Sequence, residues 1–104
     1  MQTQPNLKLE YLTHLATNGT SEDVDTLMQL LITHADLAAG KLIDYALSLV
    51  ESAPGSERIK FYLFHGQPVQ RNFAALYFKR RGIERPLAQA YALGLIDHQQ
   101  GFAR

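Results

Sequence analysis

The stretch that decides the fold runs from Gly66 to Leu95 and reads GQPVQRNFAALYFKRRGIERPLAQAYALGL. Its prolines and glycines mark out two successive helices. Pro68 lies in the first turn of the first helix, where its missing N–H has no partner to lose and its fixed φ suits the helix. Gly82 supplies the left-handed residue that ends many helices. The turn before it carries three cations, which the negative end of the helix dipole favours: Lys79, Arg80 and Arg81.

The first helix of this pair is apolar on two sides. One face has the spacing i, i+4, i+7 and i+8 and consists of Val69, Phe73, Leu76 and Tyr77. Most of the opposite side is covered by Ala74, Ala75 and Phe78. A helix that is apolar on two sides is usually packed on two sides, so this helix is expected to have neighbours on both sides.

The second helix begins near Pro86 and ends at Gly94, where Leu95 repeats the order of a glycine followed by an apolar residue. Its apolar positions are Leu87, Ala90, Tyr91 and Leu93. Because the turn between the two helices is short, we expect them to lie as an antiparallel hairpin.

Capping residues divide the first third of the chain into further helices. An apolar stripe ends at Asn18-Gly19 and consists of Leu7, Tyr11 and Leu15. Thr20 or Ser21 is expected to cap the next helix, whose first turn is acidic as the helix dipole favours. Asp36 is a candidate cap for a third helix, although residues 34–36 also fit a kink within one long helix.

The clearest amphipathic pattern in the sequence predicts a helix from Ala38 to Ala53, with apolar residues on one side and polar residues on the other. Pro54-Gly55 is expected to stop this helix, and Ser56 to cap a following one. Residues 59–64 alternate like a strand, but no second strand is available to satisfy a lone strand's backbone groups, so we predict a helix there as well. Asp97 is expected to cap a short last helix.

These patterns predict an all-α fold, a single compact domain of about six or seven short helices packed as antiparallel hairpins. A weak repeat at an offset of 28 residues, in which Ile59, Leu63 and Gly66 match Leu87, Tyr91 and Gly94, also fits an α-solenoid-like stack. Residues 1–6 are expected to form a flexible N-terminus and residues 7–104 the domain. The predicted core consists of Leu27, Leu31, Leu42, Leu49, Phe73, Leu76 and Tyr91.

The composition limits the possible classes of protein. The 104 residues include no cysteine, which excludes a disulfide scaffold and a thiolate site. No apolar run approaches the roughly 18 residues of a membrane span, so we expect no membrane association and a cytoplasmic location.

The two halves of the chain differ in charge. Residues 1–55 carry two basic and seven acidic side chains, and residues 56–104 carry eight basic and three acidic ones, so the halves have net charges of −5 and +5. This asymmetry fits an acidic partner for the second half, or two halves that face each other.

Catalytic and metal-binding patterns are missing from the sequence. There is no Gly-x-Ser-x-Gly elbow, phosphate loop or His-Glu-x-x-His motif. Among the four histidines, only His14 has a carboxylate at helical spacing, that of Glu10. We therefore predict no enzyme activity, no metal and no cofactor.

A zone of basic and aromatic residues between positions 61 and 85 is the strongest functional hint. Nucleic-acid binders combine cations for phosphates with rings that stack on bases. The basic residues, however, point in different directions around their helix, and three of them fit helix termination. We call the candidate binding residues the basic collar: Arg71, Asn72, Lys79, Arg80, Arg81 and Arg85.

Three functional hypotheses follow. The leading one is a non-catalytic helical module for protein–protein interaction, with another protein or the chain itself as partner. The alternative is a nucleic-acid-binding protein that uses the basic collar, which the sequence pI of about 6.9 does not favour. The third is a small self-associating structural protein, such as a homodimer in which halves of opposite charge meet.

Overall fold

The computed structural model describes residues 7–102, and within that range the chain forms seven α-helices and no strand. They are α1 (Leu9–Asn18), α2 (Ser21–Thr33), α3 (Leu37–Ser48), α4 (Ala53–His65), α5 (Pro68–Arg80), α6 (Arg85–Ala92) and α7 (His98–Phe102). The predicted all-α class is confirmed, and so is the helix predicted at residues 59–64, which belongs to α4. The predicted flexible segment 1–6 lies outside the described residues.

The predicted caps at the start of α2 and α3 are confirmed. The Thr20 hydroxyl accepts a hydrogen bond from the Asp23 N–H at 3.1 Å, and the Asp23 carboxylate accepts one from the Thr20 N–H at 3.1 Å, which forms a capping box. Asp36 Oδ1 accepts a hydrogen bond from the Ala39 N–H at 2.7 Å. Because α2 ends at Thr33 and Asp36 begins a separate helix, residues 34–36 are a connection and not a kink.

Both helices of the stretch 66–95 end as predicted. Gly82 and Gly94 have φ angles of 68° and 76°, in the left-handed region. The N–H of Ile83 donates to the Phe78 carbonyl oxygen, and the N–H of Leu95 donates to the Ala90 carbonyl oxygen, both at 3.0 Å. Each end is therefore a Schellman motif that satisfies carbonyl groups of the last helical turn.

The predicted boundary between α3 and α4 is wrong. The helix that was expected to run to Ala53 ends at Ser48, and Pro54-Gly55 lies in the first turn of α4. The cap is Ser52, whose Oγ accepts a hydrogen bond from the Gly55 N–H at 3.1 Å, and not Ser56. Proline fits this position because the first turn of a helix needs no N–H from it.

Close packing explains the glycine in the first turn of α4. The Ser52 hydroxyl donates a hydrogen bond to the Gly19 carbonyl oxygen at 2.6 Å, which joins the start of α4 to the end of α1. A Cβ atom on Gly55 would lie 2.5 Å from Val50 Cγ1 and 2.9 Å from that same carbonyl oxygen. Only glycine fits so close to the backbone of another helix end.

The core is a single apolar cluster to which α1 to α6 all contribute. Of the predicted core residues, Leu27 and Leu31 are buried. Four others are only partly buried: Leu42, Leu49, Phe73 and Leu76. The prediction for Tyr91 is wrong, because this side chain is 44% exposed. Helix α6 instead buries Pro86, Leu87 and Ala90, and the next position along the helix points about 100° away from Ala90.

Helix α5 occupies the centre of the molecule, where it packs against α2, α3, α4, α6 and α7. The sequence predicted that α5 is packed on both of its apolar sides, and residues of both sides are buried. The side that carries Ala74 and Ala75 is the more fully buried one, since Val69 on the other side is 37% exposed. The buried residues of α5 are Gln70, Ala74, Ala75, Tyr77 and Phe78. Two small alanines let neighbouring helices approach the axis of α5 closely, which explains why this side is buried. None of the helices in the described range has the length and hydrophobicity that a bilayer span requires.

Candidate functional site

Two residues of the predicted basic collar, both near the start of α5, bond to groups at the end of α4, in the α6–α7 connection and in α7. Arg71 Nε donates to the Leu95 carbonyl oxygen at 2.9 Å, and Arg71 Nη1 donates to the Gly66 carbonyl oxygen at 2.9 Å. The side-chain oxygen of Asn72 accepts a hydrogen bond from Gln100 Nε2 at 3.0 Å. These two polar side chains therefore satisfy groups of the chain itself.

Arg80 forms a bidentate ion pair with Asp44, which joins α5 to α3. The two N–O distances are 2.8 and 2.6 Å. Asp44 is the more buried partner, with 18% of its side chain exposed against 48% for Arg80. The hydrogen bond to Asp44 raises the pKa of Arg80 despite its partial burial, so the guanidinium group is charged at any pH at which the protein is folded.

Arg81 caps the carbonyl end of α3. Its Nη2 donates to the carbonyl oxygens of Ser48 at 2.9 Å and of Val50 at 2.7 Å. The guanidinium group also lies over the Tyr77 ring, 4.4 Å from its centroid. A cation at this place is favourable because the last carbonyls of a helix carry partial negative charge.

The remaining two collar residues differ from each other. Lys79 Nζ donates to the Gln99 carbonyl oxygen at 3.0 Å, which ties α5 to α7. Arg85 is exposed and makes no hydrogen bond or ion pair within residues 7–102. The basic residues with partners thus bind groups in several separate parts of the fold. A nucleic-acid surface built from them stays a prediction, and Arg85 is the collar residue that has no hydrogen-bond or ion-pair partner in the described part of the chain.

No group of three or more histidine or acidic side chains that could hold a metal ion occurs in the described residues. Glu10 and His14 are both exposed on α1. His34 Nδ1 lies 3.1 Å from the Thr33 hydroxyl, and the His65 ring packs against Phe61 with centroids 4.9 Å apart. Their surroundings are those of surface side chains at helix ends.

A second polar cluster joins α2 to α4. Asp25 Oδ1 accepts hydrogen bonds from Arg58 Nε at 2.6 Å and from the Tyr62 hydroxyl at 2.8 Å. Burial and the bond to Asp25 raise the pKa of Tyr62, and that same carboxylate raises the pKa of Arg58. Arg58 also lies 4.2 Å above the Phe61 ring. The groups of this cluster bond to one another, so the cluster holds two helices together.

The feature that the sequence did not reveal is an apolar groove, which we call the α3–α5 groove. It lies between the α2–α3 connection, the first half of α3 and the first half of α5, and has a volume of about 490 Å³. Its apolar lining consists of Leu31, Ile32, Ala35, Leu37, Gly40, Val69 and Phe73. The polar residues at its margin are His34, Asp36, Lys41, Asp44 and Gln67.

The groove exposes apolar surface to solvent. Leu37 is 76% exposed and Val69 is 37% exposed, while Phe73 is partly buried. A Cβ atom on Gly40 would lie 3.6 Å from Phe73 Cζ, so α3 and α5 are in contact at this position without filling the space beside it. Covering an exposed leucine contributes about 1.5–3 kcal/mol when burial is complete. The free energy available from covering this groove is therefore substantial.

The charged side chains at the groove margin are not equivalent. Asp44 is neutralised by Arg80, at 2.6 and 2.8 Å. Asp36 uses Oδ1 to cap α3, and its Oδ2 accepts no hydrogen bond from residues 7–102. Lys41 is exposed and has neither a hydrogen bond nor an ion pair within the same range. The margin thus presents one cation and one carboxylate oxygen that are available to a partner.

A signal for the groove was present in the sequence but could not be interpreted there. Leu37 follows the capping Asp36 directly, and Val69 was placed on an apolar face of a helix that was expected to be packed on two sides. Both observations are local, whereas a groove is a space between helices. Comparisons of the chain with protein-family models, with curated proteins and with solved structures found no significant match.

Proposed function

We propose that this chain is a non-catalytic helical module that binds protein, and that it binds through the α3–α5 groove. The observation that supports the proposal is the exposed Leu37 beside an apolar groove of about 490 Å³. Exposed, concave apolar surface with a polar margin is typical of protein interaction sites. Grooves between helices commonly accept the apolar side chains of an amphipathic segment.

The chemistry around the groove supports binding in preference to catalysis. Two of its polar side chains already act within the fold, Asp44 as the partner of Arg80 and Asp36 as a helix cap. The volume lies within the roughly 300–1,000 Å³ typical of ligand sites, which leaves room for two or three apolar anchors. In such interfaces a few buried anchors provide most of the binding free energy.

A peptide selection tests the proposal. We would select 16-residue peptides on the folded chain from a displayed library, measure the affinity of the selected peptides by calorimetry, and map the bound peptide with methyl NMR spectra. We expect peptides with apolar residues at helical spacing, and chemical-shift changes at Leu31 and Ile32 methyl groups. Leu37→Gln should weaken binding at least about tenfold, since it removes apolar contact at the groove margin.

A matched control is available in Leu93→Gln. Leu93 is 68% exposed, close to the 76% of Leu37, and lies at the end of α6 outside the groove lining. This variant should bind the peptides as the unchanged chain does. Shift changes confined to other surfaces, or equal affinities for the two variants, would contradict the proposal.

A further inference from the structure

The α3–α5 groove carries both parts of a self-complementary contact. Leu37 protrudes from its margin, 76% exposed, and the apolar space that could receive such a side chain lies directly beside it. In a two-fold symmetric dimer each surface patch meets its own copy, so a protrusion and a cavity on one patch can be filled reciprocally. A surface that has only a cavity would need a different protein to fill it.

The charges at the margin have the same self-complementary arrangement. Lys41 has no partner within the described residues, and Asp36 has one carboxylate oxygen without a hydrogen bond. Both lie on the first two turns of α3 or at its cap. Around a two-fold axis that passes between these positions, Lys41 of one copy faces Asp36 of the other, and the pair occurs twice.

The other charges of the groove do not oppose this contact. Asp44 is held by Arg80 at 2.6 Å and does not compete for Lys41. His34 and Gln67 are polar groups at the edge of the groove, where the rim of an interface stays in contact with water. Close approach of two copies of α3 is also sterically possible, because Ala38 is exposed and Gly40 has no side chain.

We infer that the occupant of the α3–α5 groove is a second copy of this chain. In the isologous homodimer, Leu37 of each copy enters the groove of the other, and Lys41 of each copy pairs with Asp36 of the other. The inference rests on the proposed function, because it names the protein that the groove binds. It differs from a dimer held by the −5 and +5 halves of the chain, since its contacts lie within one short patch.

Sedimentation equilibrium of the full chain tests the inference, with protein from about 5 to 500 µM so that a concentration-dependent mass is visible. We expect a mass that rises from 11.7 kDa toward twice that value. Leu37→Gln should weaken dimerisation at least about tenfold, since two leucines leave the interface. Leu93→Gln, at an equally exposed leucine outside the groove, should leave the dissociation constant unchanged.

Charge variants test the register of the contact. Lys41→Glu places a carboxylate opposite Asp36 and should weaken the dimer about tenfold. In the double variant that combines Asp36→Asn with Lys41→Glu, the asparagine at position 36 still caps α3 well, but the repulsion between the two carboxylates is gone. The dissociation constant of its dimer should therefore lie within about threefold of that of the single variant Asp36→Asn. Circular dichroism would establish that each variant is folded before its mass is interpreted.

The outcomes separate this inference from the proposed function. A monomer at the highest concentration, or a dimer insensitive to Leu37→Gln and Lys41→Glu, would overturn the inference. If that monomer still bound selected peptides in the groove, the proposed function would stand without a second copy as occupant. A monomer whose groove bound no peptide would remove both.

Discussion

The Tyr77 hydroxyl donates a hydrogen bond to the Val50 carbonyl oxygen at 2.7 Å, and Arg81 donates to the same oxygen at 2.7 Å. Val50 is fully buried in the connection between α3 and α4. One carbonyl group is therefore held by two side chains from α5, which fixes the end of α3 against the central helix. A buried carbonyl group that loses every partner has a larger energetic cost than one that loses a single partner.

This relationship predicts a non-additive pair of substitutions. Tyr77→Phe alone should lower the free energy of unfolding by about 0.5–1 kcal/mol, because Arg81 still satisfies the Val50 carbonyl group. Arg81→Met alone should have an effect of about the same size, because Tyr77 still satisfies the Val50 carbonyl group and the exposed Ser48 carbonyl group can bond to water instead. The double variant should lose about 2–3 kcal/mol of unfolding free energy, more than the sum of the two single losses, as measured by urea denaturation. Tyr45→Phe, at a tyrosine that is 52% exposed, is the control and should have no effect; additive costs would contradict the account.

The buried amide of Gln70 carries a second stability prediction. Gln70 is 6% exposed, its Nε2 donates to the Met28 carbonyl oxygen at 3.0 Å, and its Oε1 accepts from the Gln67 N–H at 2.8 Å. Gln70→Leu keeps a similar volume but leaves both backbone groups without this partner, so we expect a loss of about 1–3 kcal/mol in thermal or urea unfolding. The exposed Gln29→Leu on α2 should change stability by less than about 0.5 kcal/mol. Equal stability of the two variants would show that the amide has no structural role.

Two glycines should respond to alanine in opposite directions. Gly55→Ala brings a Cβ atom to 2.5 Å from Val50 Cγ1 and 2.9 Å from a backbone oxygen, and should destabilise the fold by about 1–3 kcal/mol. Gly40 lies inside α3, and its Cβ would meet only Phe73 Cζ at an ordinary 3.6 Å. Gly40→Ala should therefore stabilise the chain by about 0.5–1 kcal/mol through helix propensity. The melting temperatures of the two variants, compared with that of the unchanged chain, test this prediction. A lowered melting temperature of Gly40→Ala would contradict the space seen at this position.

The capping box at α2 predicts a pH dependence of stability. Partial burial would raise the pKa of Asp23, but hydrogen bonds from the side chain and backbone of Thr20 and from Asn18 outweigh it, so the pKa lies below its usual value. A carboxyl group with a lowered pKa in the folded state stabilises the fold above its unfolded pKa and loses that effect as pH falls through the folded value. Asp23→Asn should thus cost about 0.5–1 kcal/mol at neutral pH and progressively less below a pH of about 4.

Urea denaturation at a series of pH values measures this dependence. Glu22→Gln is the control, because Glu22 is an exposed acid in the same helical turn and its side chain makes no hydrogen bond within residues 7–102. Its effect should stay small and vary little with pH. A cost of Asp23→Asn that is the same at pH 3 and pH 7 would rule out the charged carboxylate as the stabilising form.

Helix ends were the most predictable part of this molecule. Thr20, Asp36, Pro68, Gly82 and Gly94 all act where the sequence placed them. A cap satisfies backbone groups two or three residues away, so the sequence of a short segment is enough to recognise it. The all-α class followed for the same reason, since it depended on many such local signals and no strand partner.

Contacts between distant residues could not be predicted in this way. Pro54-Gly55 is compatible both with the end of one helix and with the start of the next, and the choice was made by Ser52, which reaches the Gly19 carbonyl oxygen 33 positions away in sequence. Three of the collar residues, Lys79, Arg80 and Arg81, were recognised as helix-terminal cations. Their partners, such as Asp44 for Arg80, lie up to 36 positions away and were not recognised.

Because capping is local, the sequence by itself determined where most helices of this protein begin and end. The exceptions are the α3–α4 boundary and residues 34–36, which also fitted a kink within one long helix. Tertiary structure decided which side of α5 is buried, which partner each basic side chain takes, and where apolar surface stays uncovered. The α3–α5 groove depends on how closely two helices approach at Gly40 and Phe73, where a Cβ atom added to Gly40 would lie 3.6 Å from Phe73 Cζ. Hydrophobic periodicity identifies apolar faces, but the space between two faces exists only once the helices have packed.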